Sequence, residues 1–338
     1  MTRAIQKRTP LPTPVRLEDA QNVGTLLAAS RSAETRRSYA SAMRTFSAWC
    51  QERGYPAVPT GPEVVASYIA HRSTYVAHST ISRDLAAIAA AHLDSGLDDP
   101  TAHHGVRQAL RSAGRTLGTA PSRRATPLTT VLMRQVIGAM DDLETATGKR
   151  DRAILLLGLA AALRRRELAA LTTNDIARHD DDLLLRIRRS KADQTGRGDL
   201  IGIPLGAHPE TCPVLALEAW LETSSRKLGE GSPVFSRIYN HSRIADTALS
   251  DRSISRIIQT RAAAASIKGK EYTHIAGVDQ TWVSGHSLRA GHATSAAEAG
   301  VDAMTISRTT RHRRLDSLAR YVRPAGAFED STAGKIGL

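Results

Sequence analysis

The first third of the chain places apolar residues with a helical period. Segments near 31–53, 60–73, 78–95 and 102–117 carry spaced Ala, Leu, Ile, Val and aromatic positions, punctuated by Gly54-Tyr55-Pro56 and Asp99-Pro100. The pattern predicts a small all-helical domain over 31–117. Ahead of it, residues 1–30 hold Pro10, Pro12 and Pro14 close together with little periodic hydrophobicity, which predicts a mobile arm. Residues 118–128, GTAPSRRATPL, have the composition of a linker, and a basic one, since they include Arg123 and Arg124.

Further on, helices are predicted at 129–142 and 147–173, after which the period shortens to two. Leu183 to Arg189 and Leu200 to Leu205 read as short strands bracketing a turn, Asp193 to Gly198, with Lys191 just past the first strand. More helices are expected near 213–228, 251–266 and 286–299, with Tyr321 on a late helix near 315–322. The fold class is therefore mainly α: an N-terminal helical domain, then a mixed but mostly helical domain over 129–323 with a small β-hairpin. A tail over 324–338 keeps Phe328, Ile336 and Leu338 for packing.

Charge changes this picture from a plain helical protein to one with a polyanionic partner. Lys and Arg number 46 against 33 Asp and Glu, a formal charge of +13, while 41% hydrophobic content in 338 residues suffices for two packed domains. The arginines are also patterned. Arg107, Arg111 and Arg115 recur every four residues on one face of the fourth segment while Val106, Leu110 and Leu117 fall on another, and no acidic residue lies between 101 and 126. A solvated face usually mixes both signs, so this one reads as a phosphate-facing surface, with Arg36, Arg37, Arg44, Ser82, Arg83, Arg123 and Arg124 as further phosphate contacts.

No uncharged apolar run approaches membrane-spanning length, and the amino end, MTRAIQKRTPLPTPVR, lacks the apolar core of a signal peptide. The expectation is a cytoplasmic protein with no membrane partner. Cys50 and Cys212 are too few for a disulfide scaffold or a zinc site. There is no HExxH and no glycine-rich phosphate loop, so neither metal nor cofactor is expected.

The candidate chemistry lies in the last sixth of the chain. His286 and Arg289 stand three apart, His312 follows, and Tyr321 comes nine residues later. A phenolic oxygen attacks a phosphodiester usefully only when cations already surround the phosphate and a proton carrier is in reach. A second His-x-x-Arg pair, His104 and Arg107, has no tyrosine or partner histidine at a similar offset and reads as surface helix. Upstream, the apolar run Leu155 to Leu171 is interrupted by Arg164, Arg165 and Arg166 just before Glu167. Two guanidiniums would stabilise the charge on nonbridging oxygens, since each offers paired donors and stays charged. His286, with an ordinary pKa near 6.5, is the natural acceptor for the tyrosine proton.

The series Ala-Leu-Arg-x-x-Glu-Leu, a hairpin with a lysine, His-Ser-Leu-Arg-Ala-Gly-His-Ala-Thr, then a histidine nine before a tyrosine, resembles the tyrosine recombinase, or phage integrase, family, in its Cre-like branch. The resemblance runs from about residue 30 to 325 and takes in Ala48-Trp49-Cys50 and Ser284-Gly285-His286-Ser287. It implies Tyr321 as nucleophile, Arg164 and Arg289 as the catalytic arginines, His286 as base, Lys191 as donor to the leaving oxygen, His312 as a phosphate contact and Glu167 as an orienting residue. Two positions depart from the family. Arg165 and Arg166 stand where less basic residues are usual, and Arg311 replaces the glycine that commonly precedes His312.

The resemblance further implies a C-shaped clamp on double-stranded DNA bearing inverted repeats, a 3′-phosphotyrosyl intermediate, strand exchange through a Holliday junction, and a homotetramer on two sites assembled from monomers, with the tail docked on a neighbouring protomer. Two other readings stay open at this point: a DNA-binding regulator that kept the fold and lost the chemistry, and a type IB topoisomerase-like relaxing enzyme.

Overall fold

The structure, a computed structural model, describes residues 16, 18, 31–118, 123–188, 198–240, 243–267 and 280–311. It divides into two compact units, Met1–Ala120 and Pro121–Leu338. Among the described residues no helix is long and apolar enough to cross a membrane.

Among its residues from 31 to 118 the first unit has four helices: α1 (Ala33–Glu52), α2 (Pro62–Arg72), α3 (His78–Asp94) and α4 (His104–Leu117), with a 3₁₀ turn at Pro100–Ala102. The starts are set locally. Ser32 Oγ accepts the Thr35 N–H at 3.2 Å ahead of α1, Pro62 opens α2, and Asp99 accepts the Thr101 N–H at 2.8 Å before the 3₁₀ turn. The apolar positions meet in a core built on Phe46, Trp49 and Tyr68, whose rings pack edge-on at 4.9 and 5.1 Å about Tyr68. Beneath them the buried Asp84 carboxylate accepts from Tyr68 Oη at 3.2 Å and from Arg72 Nη2 at 3.0 Å. Desolvation and the Asp84 charge raise the Tyr68 pKa well beyond its usual range, so the phenol stays a donor.

The second unit contains β1 (Arg123–Ala125), α5 (Thr130–Gly138), α6 (Ala146–Ala160), α7 (Arg165–Ala170), β2 (Ile176–His179), β3 (Asp182–Ile187), β4 (Asp199–Ile203), α8 (Pro213–Thr223), β5 (Ser236–Tyr239), β6 (Arg243–Ala248), α9 (Asp251–Ala264), β7 (Gln280–Trp282), α10 (Ser287–Glu298) and α11 (Ala303–Thr310). Strands β2-β3-β4 form an antiparallel sheet with Leu185 opposite Ile201, so that Leu183, Leu185, Ile187, Ile201 and Ile203 all point into the core. The β3–β4 pair is the expected hairpin, each strand beginning one residue earlier and ending two residues earlier than expected. Strand β2 and the β5–β6 hairpin are additional.

Three differences from the sequence reading bear on the site. The stretch 118–128 is not linker throughout: Arg123–Ala125 pairs in parallel with Gln280–Trp282, and the Leu128 side chain is fully buried. The helix expected over 129–142 stops at Gly138. Most consequentially, the helix expected over 147–173 is two helices. After Ala160 the chain turns left-handed at Ala162, with φ +49°, and the Leu163 and Ala162 N–H groups close on the Gly158 and Leu159 carbonyls at 3.0 and 3.2 Å. This is the hydrogen-bond pattern of a Schellman end with alanine where glycine is usual. The chain then restarts as α7 with Arg164 at its N-cap.

Two glycines permit the packing that brings α10 onto this break. A Cβ on Gly158 would overlap Leu288 and Leu168, and one on Gly291 would run into the Leu128 backbone, which donates its N–H to the Ser287 carbonyl at 3.0 Å. Because backbone cannot yield as a side chain does, Gly291→Ala is expected to destabilise the protein by about 1–3 kcal/mol, read as a lowered thermal transition.

Candidate active site

Helix α10 begins at a turn fixed by three serines. The Ser284 N–H donates to Ser287 Oγ at 2.9 Å, the His286 N–H to Ser284 Oγ at 3.2 Å, and the Gly285 N–H to Ser255 Oγ of α9 at 3.1 Å. His286 is thereby set at the N-cap of α10 and Arg289 in its first turn. Cations at the positive end of a helix are disfavoured by about 0.3–1 kcal/mol unless an anion joins them, which is the condition a phosphate would satisfy.

Arg289 is 1% exposed, and its Nη1 donates to the Ala162 carbonyl at 3.0 Å. The left-handed residue that ends α6 thus presents its oxygen to the arginine of α10. In the DNA-free chain that guanidinium is shut away from bulk water.

Arg164 is held from the other side. Its own N–H and its Nη1 both donate to the Glu167 carboxylate, at 2.9 and 2.5 Å. Glu167 is itself buried and takes a third donor, Arg311 Nη2 at 2.7 Å. One carboxylate between two guanidiniums leaves a net positive group, and a buried carboxylate so paired avoids the cost of an isolated charge. His286, Arg289, Arg164 and Glu167 therefore gather in one place around the α6–α7 break, from segments about 120 residues apart.

The electrostatics of that place alter one expectation. His286 keeps an exposed edge, yet desolvation of the ring, then the Arg289 and Arg164 charges, push its pKa from 6.5 down to about 4. The ring is therefore neutral at pH 7, as an acceptor must be, but a weaker base than its ordinary value suggests. The second histidine of the motif, His292, is also depressed, by burial first and the Arg289 and Arg311 charges after, and its Nδ1 lies 2.9 Å from the Leu159 carbonyl. It braces the same helix end.

Arg165 and Arg166, which depart from the family pattern, pair with a carboxylate of α9. Both reach Asp251 at the start of α9, with Nε–Oδ2 distances of 3.2 and 3.4 Å, and both remain about half exposed. The Arg165 stem passes directly over Gly285, where a Cβ would stand only 2.9 Å from its Cδ. Lys191, His312 and Tyr321 lie outside the described residues, as do the side chains of Arg123 and Arg124.

Among the expected DNA contacts of the first unit, Arg36, Arg37, Arg44, Arg83, Arg107, Arg111 and Arg115 are exposed. Arg107, Arg111 and Arg115 stand on α4 opposite the buried Val106 and Ala113. His104 and Arg107, the second pair of that spacing, are surface residues of the same helix. Arg83 is tied to Asp84 at 2.9 Å, and Ser82 is half-buried with its hydroxyl donating to the His78 carbonyl at 3.0 Å, which leaves Ser82 the least available of the set. The residue that sequence reasoning passed over is Arg311. Its only signal was a departure from family pattern, and its contribution is through Glu167. Among the described residues no three His, Cys, Asp or Glu side chains gather as a metal site requires.

Residues 128–327 match the model of the phage integrase family. Over 310 residues the chain is 33% identical to an integrase/recombinase XerD homolog of Selenomonas ruminantium, covering 91% of this chain and 86% of that protein. It is 25% identical to the Cre recombinase of Escherichia phage P1, covering 84% and 82%. A crystal structure of a lambda integrase dimer bound to a COC′ core site shares the fold at a TM-score of 0.60 with 15% identity, covering 94% of this chain and 80% of that one.

Free-protein chemistry follows from the depressed histidine. The unfolded ring titrates near 6.5 and the folded one near 4, so His286 contributes its full stability above pH 6.5 and loses it progressively toward pH 4. Titration of the His286 ring by NMR in the DNA-free chain is expected to show its midpoint near 4, and addition of duplex to move it upward as a phosphate joins. A midpoint at the ordinary 6.5 would contradict this placement of the ring.

Proposed function

The chain belongs to the phage integrase family and is a tyrosine site-specific recombinase; from that premise we propose that it cuts and rejoins DNA by transesterification to Tyr321 at the cluster around the α6–α7 break. The observation that carries the assignment is the convergence of Arg164, Arg289 and His286 there, with Glu167 holding Arg164. The relatives are recombinases by name, which weighs against a silent regulator or a relaxing enzyme.

In this reading the two guanidiniums take the nonbridging oxygens of one phosphate and stabilise the charge that grows on them as the tyrosine oxygen attacks. The neutral His286 ring receives the phenolic proton. Lys191 returns a proton to the departing 5′ oxygen, and His312 contacts the same phosphate. The bond formed, phosphorus to the Tyr321 oxygen, replaces the broken bond from phosphorus to the 5′ oxygen at similar energy and leaves the phosphate on the 3′ end, so the reverse attack by a 5′ hydroxyl restores DNA without nucleotide or metal. When that hydroxyl comes from a second duplex the product is exchanged, through a Holliday junction. Double-stranded DNA with inverted repeats is the substrate, and the exposed arginines of the first unit supply sequence-independent affinity. Four protomers on two sites, assembled from free monomers with the 324–338 tail reaching a neighbour, complete the proposal.

A target duplex is obtained by selecting, from a random pool, sequences that become covalently attached to the protein. On that duplex a denaturation-resistant adduct is expected, and Tyr321→Phe is expected to abolish it. Binding without adduct would point to a regulator, and adduct without exchange between two duplexes to a relaxing enzyme.

Arg289→Ala is expected to bind the duplex normally while cleaving about 10²–10³-fold more slowly, because it removes charge stabilisation specific to the transition state. Arg111→Ala should instead weaken binding to all sequences and reduce the slope of log K against log salt by about 1.

A further inference from the structure

Arg311 ends α11 in the left-handed region, at φ +54° and ψ +46°, where a residue with a Cβ is strained and glycine is not. The side chain nonetheless turns inward and is 7% exposed as a residue. Its Nη1 donates to the Ala161 carbonyl at 3.2 Å and to Thr309 at 2.9 Å, and its Nη2 donates to the Ala162 carbonyl at 3.2 Å and to Glu167 Oε2 at 2.7 Å. Burial disfavours its charge, and Glu167 is the opposite charge that compensates most.

We propose that Arg311 is a positioning residue, which clamps the Ala161–Ala162 turn and Glu167 together so that Arg164 and Arg289 keep a fixed spacing toward one phosphate. The inference deepens the recombinase reading and rests on it. Two contacts give it this reach. Glu167, which Arg311 grips through Oε2, is the residue that holds Arg164. The Ala162 carbonyl, which Arg311 also grips, is the one that Arg289 uses. A single buried guanidinium is thus joined to the support of both catalytic arginines, and its own residue directly precedes His312 in the chain. Glycine at this position would relieve the backbone and lose all four hydrogen bonds. An arginine kept in a glycine-favouring conformation is therefore explained by its side chain.

The test compares Arg311→Gly, Arg311→Lys and Glu167→Gln, singly and as Arg311→Gly with Glu167→Gln, in the full chain on the selected duplex. Adduct formation at saturating duplex, duplex affinity and thermal unfolding are read for each. Arg311→Gly is expected to bind within about threefold of the parent yet cleave about a hundredfold more slowly at saturation, the order of loss a displaced reacting group produces. Arg311→Lys should recover part of that rate. The double variant should lose less than the product of the two single losses, because the two share the support of Arg164.

Cleavage by Arg311→Gly at the parental rate overturns the proposal, as do losses that multiply in the double variant. An equal loss of affinity and cleavage would make Arg311 a phosphate contact and overturn it too. If Arg311→Gly does not fold, Arg311→Lys paired with Glu167→Gln gives the same comparison. A parent chain that forms no adduct overturns the recombinase reading itself, whereas a parent that cuts beside an unaffected Arg311→Gly overturns only this inference.

Discussion

A buried carboxylate needs compensation, and the way Glu167 obtains it organises the second unit. Its two oxygens draw Arg164 from one side and Arg311 from the other, along with the Arg164 main-chain N–H. Removing any one donor would leave charge in a poorly solvated place, so the three groups define each other's positions. The same demand explains why α6 and α7 are separate helices. A continuous helix would spend the Ala162 carbonyl on the backbone ladder, whereas the left-handed turn frees it for Arg289 and Arg311.

The helical first unit was legible because its signals are local: apolar residues at helical spacing, the breaks at Gly54-Tyr55-Pro56 and Asp99-Pro100, and arginines four apart on α4. The His286–Arg289 spacing was also local, being one turn of a helix. The α6–α7 break was not. Leu159 to Leu163 is built from good helix formers, and the alanine that turns left-handed carries no glycine signature; tertiary hydrogen bonds decide the break. Strand β6 and its partner β5 escaped notice because Ser236–Tyr239 and Arg243–Ala248 carry no alternation of apolar and polar residue types, and β6 is largely exposed. Arg311 stood out only as an exception to a pattern, with nothing in its neighbours to say that it points inward.

Polar groups inside the two units serve different ends. In the first, Asp84 with Arg72 and Tyr68 ties α2 to α3 beneath an aromatic core, while the arginines of α4 are exposed at the surface. In the second, Arg261 of α9 bridges Asp142 and Asp151 at 2.7 and 2.9 Å, which fixes α9 against α6. Since α9 also supplies Ser255 to the turn before His286 and Asp251 to Arg165, that bridge reaches the site through rigid elements rather than loops.

The seclusion of Arg289 has a consequence for substrate choice. Opening a sealed guanidinium costs free energy, and a mononucleotide or simple phosphoester brings little beyond the reacting group to offset it. A long duplex is different, because ionic contacts with its other phosphates can drive the opening before chemistry begins. Polymer length would then act as a licence for bond breakage, and the resting protein would be a poor general phosphodiesterase despite holding the parts of one.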